Sequence, residues 1–236
     1  MRRNSFFISW LVLIAGLLGS VRGGAVDVNS AEALRNVLGN ATVNGNVVTL
    51  TDDVYLDRNS GGLSITGGTM VLDLNTYTLT YDRSSINASK GDDIAINVNG
   101  SSANITVKNG NIVTKSAKGT NSSGKFGDGG DGSNAFAIVL NDGLVAIIDV
   151  VMTVSPGAGG SGGSWVGSSG SAGGAWVIDA NGSHTLENML PAGTYFSKPT
   201  GVNYKEEGGG INQTAATVSL TQYNVIYNTN GGTTTI

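Results

Sequence analysis

A short strand motif recurs between Gly62 and Asn181. Its copies are runs of alternating aliphatic or β-branched residues that end at glycine, namely Leu63–Gly67, Ile94–Gly100, Ala137–Gly143 and Trp176–Gly182. Longer strands with a polar break follow the first three copies, at Val71–Thr80, Asn104–Thr114 and Val145–Val154. A repeat of about thirty to forty residues predicts stacked units, each of which buries its apolar face only against its neighbours.

The composition supports an all-β array of short strands. The chain has 236 residues, of which 37 are glycine, 13% are charged and none is cysteine. Glycine at this level, without a collagen period, is typical of many tight turns. The formal net charge of −4 comes without a basic cluster, which argues against nucleic acid as a partner.

The first residues have the pattern of a secretory signal. Arg2 and Arg3 precede the apolar run Phe6–Leu18, and small residues follow up to Ala25. We therefore expect residues 1–25 to be removed and the protein to be secreted or held at the cell surface, with no membrane insertion after removal of the signal. The apolar run is short for a membrane-spanning helix, which is the alternative.

The segment Val26–Leu38 predicts a short strand followed by a helix. Asn29 or Ser30 can cap the helix, and Gly39 ends it. A short amphipathic helix at this place is expected to cover the open end of the first repeat, where strand edges would otherwise meet water.

Loops occur at one place in the repeat, after each long strand, at Asp82–Asp93, Lys115–Asn134 and Ser155–Gly174. Insertions at one place in a stacked repeat emerge on one face, which is often the binding face. Trp165 and Trp176 are candidate binding residues for a sugar ring or a protein surface. The alternatives are that Trp165 folds back to anchor its loop and that Trp176 belongs to the core.

The segment Gly127–Gly132 is a candidate calcium loop. Its carboxylates, Asp128 and Asp131, are hard oxygen ligands on a flexible backbone. Calcium loops of this glycine–aspartate kind normally occur in tandem copies, and this chain has one. The alternative is a glycine-rich loop that needs no cofactor.

The chain resembles the right-handed parallel β-helix of the pectin-lyase-like superfamily, in the form found in bacterial surface and adhesin proteins. The resemblance rests on the opening VNSAEALRNVL, the strand VLDLNTYTLT and the pair AINVNG and NITVKNGNIV. YNVIYNTNGG is similar to the start of an internalin-type β-grasp repeat. These similarities imply a β-helix over residues 26–182, a connecting module over 183–213 and the start of a further, truncated β repeat over 214–236.

The resemblance implies either a non-catalytic surface module or a polysaccharide lyase or hydrolase. We expect the non-catalytic, adhesin-like module, whose partner is a carbohydrate or a protein of a host or cell surface. The enzyme alternative needs carboxylates and a base on one exposed strip, for which Asp73, Asp149 and Lys108 are the candidates. The chain lacks the motifs expected of pectin hydrolases, so we predict no catalytic residue.

Overall fold

The computed structural model describes residues 25–38, 46–181, 189, 194–197 and 214–220. These residues form one short helix, α1 (Ala31–Leu38), and a set of β-strands. The strands are β1 (Ala25–Val28), β2 (Asn46–Leu50), β3 (Val54–Leu56), β4 (Leu63–Ile65), β5 (Gly68–Asp73), β6 (Thr78–Asp82), β7 (Asn87–Ala88), β8 (Asp92–Lys115), β9 (Lys118–Gly119), β10 (Asn134–Ser155), β11 (Ala175–Ala180), β12 (Thr194–Ser197) and β13 (Ala215–Leu220). The predicted all-β class is therefore confirmed. Residues 1–24 of the expected signal lie outside the described part.

The repeated segments lie side by side as parallel neighbours. Ile96 of β8 pairs with Leu63 of β4 on one side and with Ile138 of β10 on the other. Ile138 in turn pairs with Ile178 of β11. The short strands β4, β5 and β6 all pair with the single long strand β8. One repeat is therefore divided into three strands, whereas the next repeat is one continuous strand.

Apolar side chains at alternate positions of the long strands are buried and form the core, as the period-two pattern predicts. Leu72, Val107 and Ile147 are fully buried and occupy matching positions on β5, β8 and β10. The polar breaks in the long strands have left-handed backbone, with φ of 48° at Asn75, 59° at Asn109 and 51° at Asp149. Asparagine and aspartate tolerate this conformation, which explains their recurrence at the breaks.

The predicted N-terminal helix is present, and its cap is Ser30. The Ser30 hydroxyl accepts a hydrogen bond from the Ala33 N–H at 3.2 Å. Leu34 and Leu38 are buried, and the helix contacts β3 and β4. Of the residues beyond 182, β12 and β13 pair antiparallel with each other, and β13 also pairs antiparallel with β10.

Candidate functional site

The two longest loops form a pair of glycine-rich hairpins. Hairpin 1 comprises residues 116–133, with arms at 117–122 and 127–133. Hairpin 2 comprises residues 156–174, with arms at 157–163 and 167–173. Glycine occupies every third position along both arms of hairpin 2, at Gly157, Gly160, Gly163, Gly167, Gly170 and Gly173. Three residues per turn is the period of the polyproline II helix, which has no hydrogen bonds of its own.

Backbone hydrogen bonds connect the arms to one another, and their donors also recur every three residues. The N–H groups of Gly157, Gly160 and Gly163 donate to Ser133, Gly130 and Gly127 of hairpin 1 at 2.8–2.9 Å. Within hairpin 2, the N–H groups of Gly170 and Gly173 donate to Gly160 and Gly157, both at 2.9 Å. The hairpins are therefore a packed bundle of extended arms rather than separate loops.

Close approach of the arms explains the glycine at every third position. A Cβ atom built on Gly160 would overlap the Thr120 carbonyl group, and one on Gly173 would overlap that of Ser133. The same overlap occurs at Gly157 and Gly170. A side chain at these positions would push apart arms that need contact to form their hydrogen bonds.

Four side chains connect the two hairpins, three of them from hairpin 1 and the fourth from Asn134, which directly follows it. Each accepts a hydrogen bond from the N–H of the residue 40 positions later: Asn121 from Ser161, Asp128 from Ser168, Asp131 from Ser171 and Asn134 from Gly174, at 2.8–2.9 Å. The last three are spaced by three residues, which places them on one side of a threefold arm. The hydrogen bond from Ser171, helped by Lys90, holds the pKa of Asp131 below its usual range.

The candidate calcium ligands therefore have a structural task. Asp128 and Asp131 each hold one backbone N–H of hairpin 2. Among the described residues, no group of three or more aspartate, glutamate, histidine or cysteine side chains is placed to hold a metal ion. The binding of calcium by Asp128 and Asp131 stays a prediction.

The tips of the two hairpins meet in an exposed apolar cluster, which we call the aromatic tip and which comprises Lys125, Phe126, Trp165 and Val166. The Lys125 carbonyl accepts hydrogen bonds from the Trp165 N–H at 3.1 Å and the Val166 N–H at 3.3 Å. The rings of Phe126 and Trp165 meet edge to face with centroids 5.9 Å apart. The Lys125 ammonium lies 4.4 Å from the centroid of the Trp165 ring.

The aromatic tip faces solvent. The exposed fraction is 68% for Phe126, 68% for Trp165 and 72% for Val166. A Phe–Trp pair held by backbone hydrogen bonds and left this open is unusual, because large apolar side chains cost free energy in water. The structure thus places Trp165 at the end of the hairpins and not against the sheet.

The second candidate, Trp176, lies elsewhere. It is the parallel partner of Phe136 across β10 and β11, and their rings stack at 5.0 Å with an interplanar angle of 9°. Trp176 is half-buried in this stack. The structure therefore does not bring the two tryptophans into one site.

Phe126, Lys125 and Val166 were not predicted from the sequence as partners of Trp165. Their signal was present, because Lys125 and Phe126 precede Trp165 and Val166 by the same 40 residues that separate the connecting side chains from their donors. Aligning the two glycine-rich loops at this offset pairs Lys125-Phe126 with Trp165-Val166 near the midpoints of the loops.

Buried charges fix the base of hairpin 1. Asp93 is 1% exposed, pairs with the Arg83 guanidinium at 2.5 Å and accepts a hydrogen bond from the Ala117 N–H at 2.8 Å. The hydrogen bond to Asp93 raises the pKa of Arg83 further above its usual range. Residues Arg58, Tyr81, Arg83 and Asp93 also line a polar recess of about 610 Å³ beside this base.

The residues of the enzyme alternative lie on neighbouring strands. Asp73 of β5 and Lys108 of β8 are parallel partners and form an ion pair at 3.0 Å. On β10, Ile148 pairs with Lys108, and Asp149 is the residue after Ile148. Burial favours a higher pKa for Asp73, but hydrogen bonds from Lys108, Asn75 and Asn109 lower its pKa below the usual range. Asp73 is thus a carboxylate held in its charged form, whereas a general acid needs a raised pKa.

The described part of the chain contains no helix that is long and apolar enough to span a membrane. Comparisons of the chain with protein-family models, with curated proteins and with solved structures find no match.

Proposed function

We propose that this protein is a non-catalytic, secreted or cell-surface binding module of the adhesin type, which contacts a glycan through the aromatic tip. One observation carries the proposal: Phe126, Trp165 and Val166 are each about 70% exposed at the end of a hydrogen-bonded pair of hairpins. The secretion signal expected in residues 1–25 and the acidic composition agree with an external location.

The architecture that supports this tip is, in our proposal, a right-handed parallel β-helix like that of the pectin-lyase-like surface proteins. The support is the register of β4, β8, β10 and β11, which are parallel neighbours in chain order. Parallel strands connected by crossovers are almost always right-handed. Asn97 of β8, Asn141 of β10 and Asn181, which directly follows β11, form a hydrogen-bonded ladder with links of 2.9 and 2.7 Å.

The hydrogen-bonded packing of the hairpins argues for recognition rather than for a passive spacer. A spacer needs no apolar tip, and exposed aromatic side chains favour aggregation. A tip fixed before binding loses little conformational entropy when its ligand arrives, so more of the contact energy becomes affinity. Indole and phenyl rings offer apolar faces against which the C–H side of a sugar ring can pack.

The polysaccharide lyase or hydrolase remains the alternative, and Asp73 is its weakest point. The carboxylate is paired with Lys108, and its pKa is lowered. A lyase would need Lys108 as a free base, and a hydrolase would need one protonated carboxyl.

The test is a glycan array with the purified protein, with and without calcium. The variants are Trp165→Ala and Phe126→Ala, and Tyr55→Ala is the matched control, because Tyr55 is also 68% exposed but lies on β3. We expect binding that both tip variants weaken about tenfold or more and that the control leaves unchanged. Binding that survives both tip variants, or release of an oligosaccharide from the array, would contradict the proposal.

A further inference from the structure

Lys125 is a cation at the aromatic tip without a carboxylate partner among the described residues. The ion pairs of the described part use Arg83, Lys90, Lys108 and Lys115. Lys125 is exposed, and its ammonium lies 4.4 Å from the Trp165 ring centroid. The indole face attracts the cation but leaves its outward N–H donors to the solvent.

Most acidic residues of the described part lie on or between the strands, at the other end of the hairpin arms from the tip. An arm of seven residues, such as 157–163, spans about 20 Å at the rise of a polyproline II helix. This length exceeds the Debye length of about 8 Å at physiological ionic strength. The nearest acidic residue along the chain is Asp128, whose carboxylate accepts the hydrogen bond from the Ser168 N–H. An anion that reaches the tip therefore meets the Lys125 charge, with Asp128 as the acidic residue nearest to it along the chain.

We propose that Lys125 is the specificity-determining residue of the tip and that its ligand is an anionic glycan, one that carries a carboxylate or a sulfate beside an apolar ring face. This inference rests on the proposed function and adds the charge of the ligand to it. The sugar ring packs on Phe126 or Trp165, and its anionic group accepts hydrogen bonds from the Lys125 ammonium. The indole holds the ammonium in place, so a single arrangement offers an apolar face and a positive charge.

The test compares glycans that differ only in charge. Binding of immobilised sialyllactose and lactose, and of sulfated and unsulfated N-acetyllactosamine, is measured with the wild-type protein and with Lys125→Gln, Lys125→Arg and Lys118→Gln. Lys118 is the matched control, because it is exposed at the base of hairpin 1. The two anionic glycans distinguish carboxylate from sulfate.

The expected result is a preference for one anionic glycan over its neutral counterpart. Lys125→Gln is expected to weaken binding of the anionic glycan about two- to fivefold and to leave the neutral one unchanged, because exposed charge pairs contribute little each. Lys125→Arg is expected to keep the preference, and Lys118→Gln to have no effect. The preference is expected to decline as salt rises.

Three outcomes would overturn the inference in different ways. Tip-dependent binding with no preference for charge would refute the role of Lys125 and leave the proposed function standing. No binding to any glycan would refute both. Binding to vesicles of phosphatidylcholine and phosphatidylglycerol, with none to the glycans, would assign the tip to lipid and refute the glycan assignment.

Discussion

Replacing Gly160 by alanine is expected to open the hairpin bundle. A Cβ atom at this position would lie 2.5 Å from the Thr120 carbonyl carbon and 2.9 Å from the Gly119 carbonyl oxygen. Both atoms are backbone, so no flexible side chain can move aside. Non-bonded carbon atoms need about 3.5 Å, so the first and third arms must separate by about 1 Å.

That separation breaks the hydrogen bonds between the two arms. The Gly119 N–H donates to Ala158 at 2.8 Å, and the Ser122 N–H donates to Ser161 at 2.9 Å. An increase of about 1 Å takes both beyond the range of a hydrogen bond, and each contributes about 0.5–1.5 kcal/mol. We therefore expect the free energy of opening the hairpins to fall by about 1–3 kcal/mol.

Hydrogen exchange followed by mass spectrometry is the assay, because it reports local opening that a global melting curve can miss. Gly124→Ala is the control: it is the same chemical change at a hairpin position where the nearest atom to the new Cβ is 3.5 Å away. Peptides from residues 116–133, which contain the Gly119 and Ser122 donors, are expected to lose protection in Gly160→Ala and to keep it in Gly124→Ala. Equal protection in the two variants would refute the packing argument.

Three further outcomes follow from the structure. Asp128→Ala is expected to weaken protection of the Ser168 N–H by about 1 kcal/mol, whether or not calcium is present, whereas Asp128→Asn keeps it, which hydrogen exchange can measure. Because the pKa of Asp73 is lowered in the folded state, its contribution to stability is fully present above the unfolded pKa of 3.8 and is lost as pH falls through the folded pKa. Asp73→Asn is therefore expected to lower stability at pH 7 by about 1–3 kcal/mol and to flatten the acid limb of urea titrations, and an unchanged limb would contradict the role of the Lys108 pair. Trp176→Ala is expected to cost about 2 kcal/mol of stability in denaturant melts but to leave glycan binding at the wild-type level.

The repeats of the fold could be predicted because their signal is local. Alternation of apolar residues along Val145–Val154 gives a strand with one buried face, whereas the apolar run Ala137–Leu140 is buried on both faces. Asparagine tolerates the left-handed backbone found at Asn75 and Asn109, but residue type alone does not single out these two asparagines. The helix over Ala31–Leu38 needed only its cap and its apolar face.

The site could be predicted only in part. Trp165 was visible as an aromatic residue inside a glycine-rich loop, but its neighbours at the tip come from a loop 40 residues earlier, and their meeting depends on how the hairpins pack. From the sequence, the carboxylates of Asp128 and Asp131 suggested a cation site. The hydrogen bonds that they accept could not be predicted, because the donors are backbone N–H groups, which have no residue-type signature.

By itself, the sequence determined the period of the strands, the polar breaks between them and the one place in the repeat where loops emerge. These properties depend on residue type and spacing over a few positions. Only the tertiary structure decided that the glycine-rich loops are packed arms and that Phe126, Trp165 and Lys125 share one tip. The arms share the period of three of a polyproline II helix, which has no internal hydrogen bonds, so neighbouring arms supply the donors and acceptors that each arm needs.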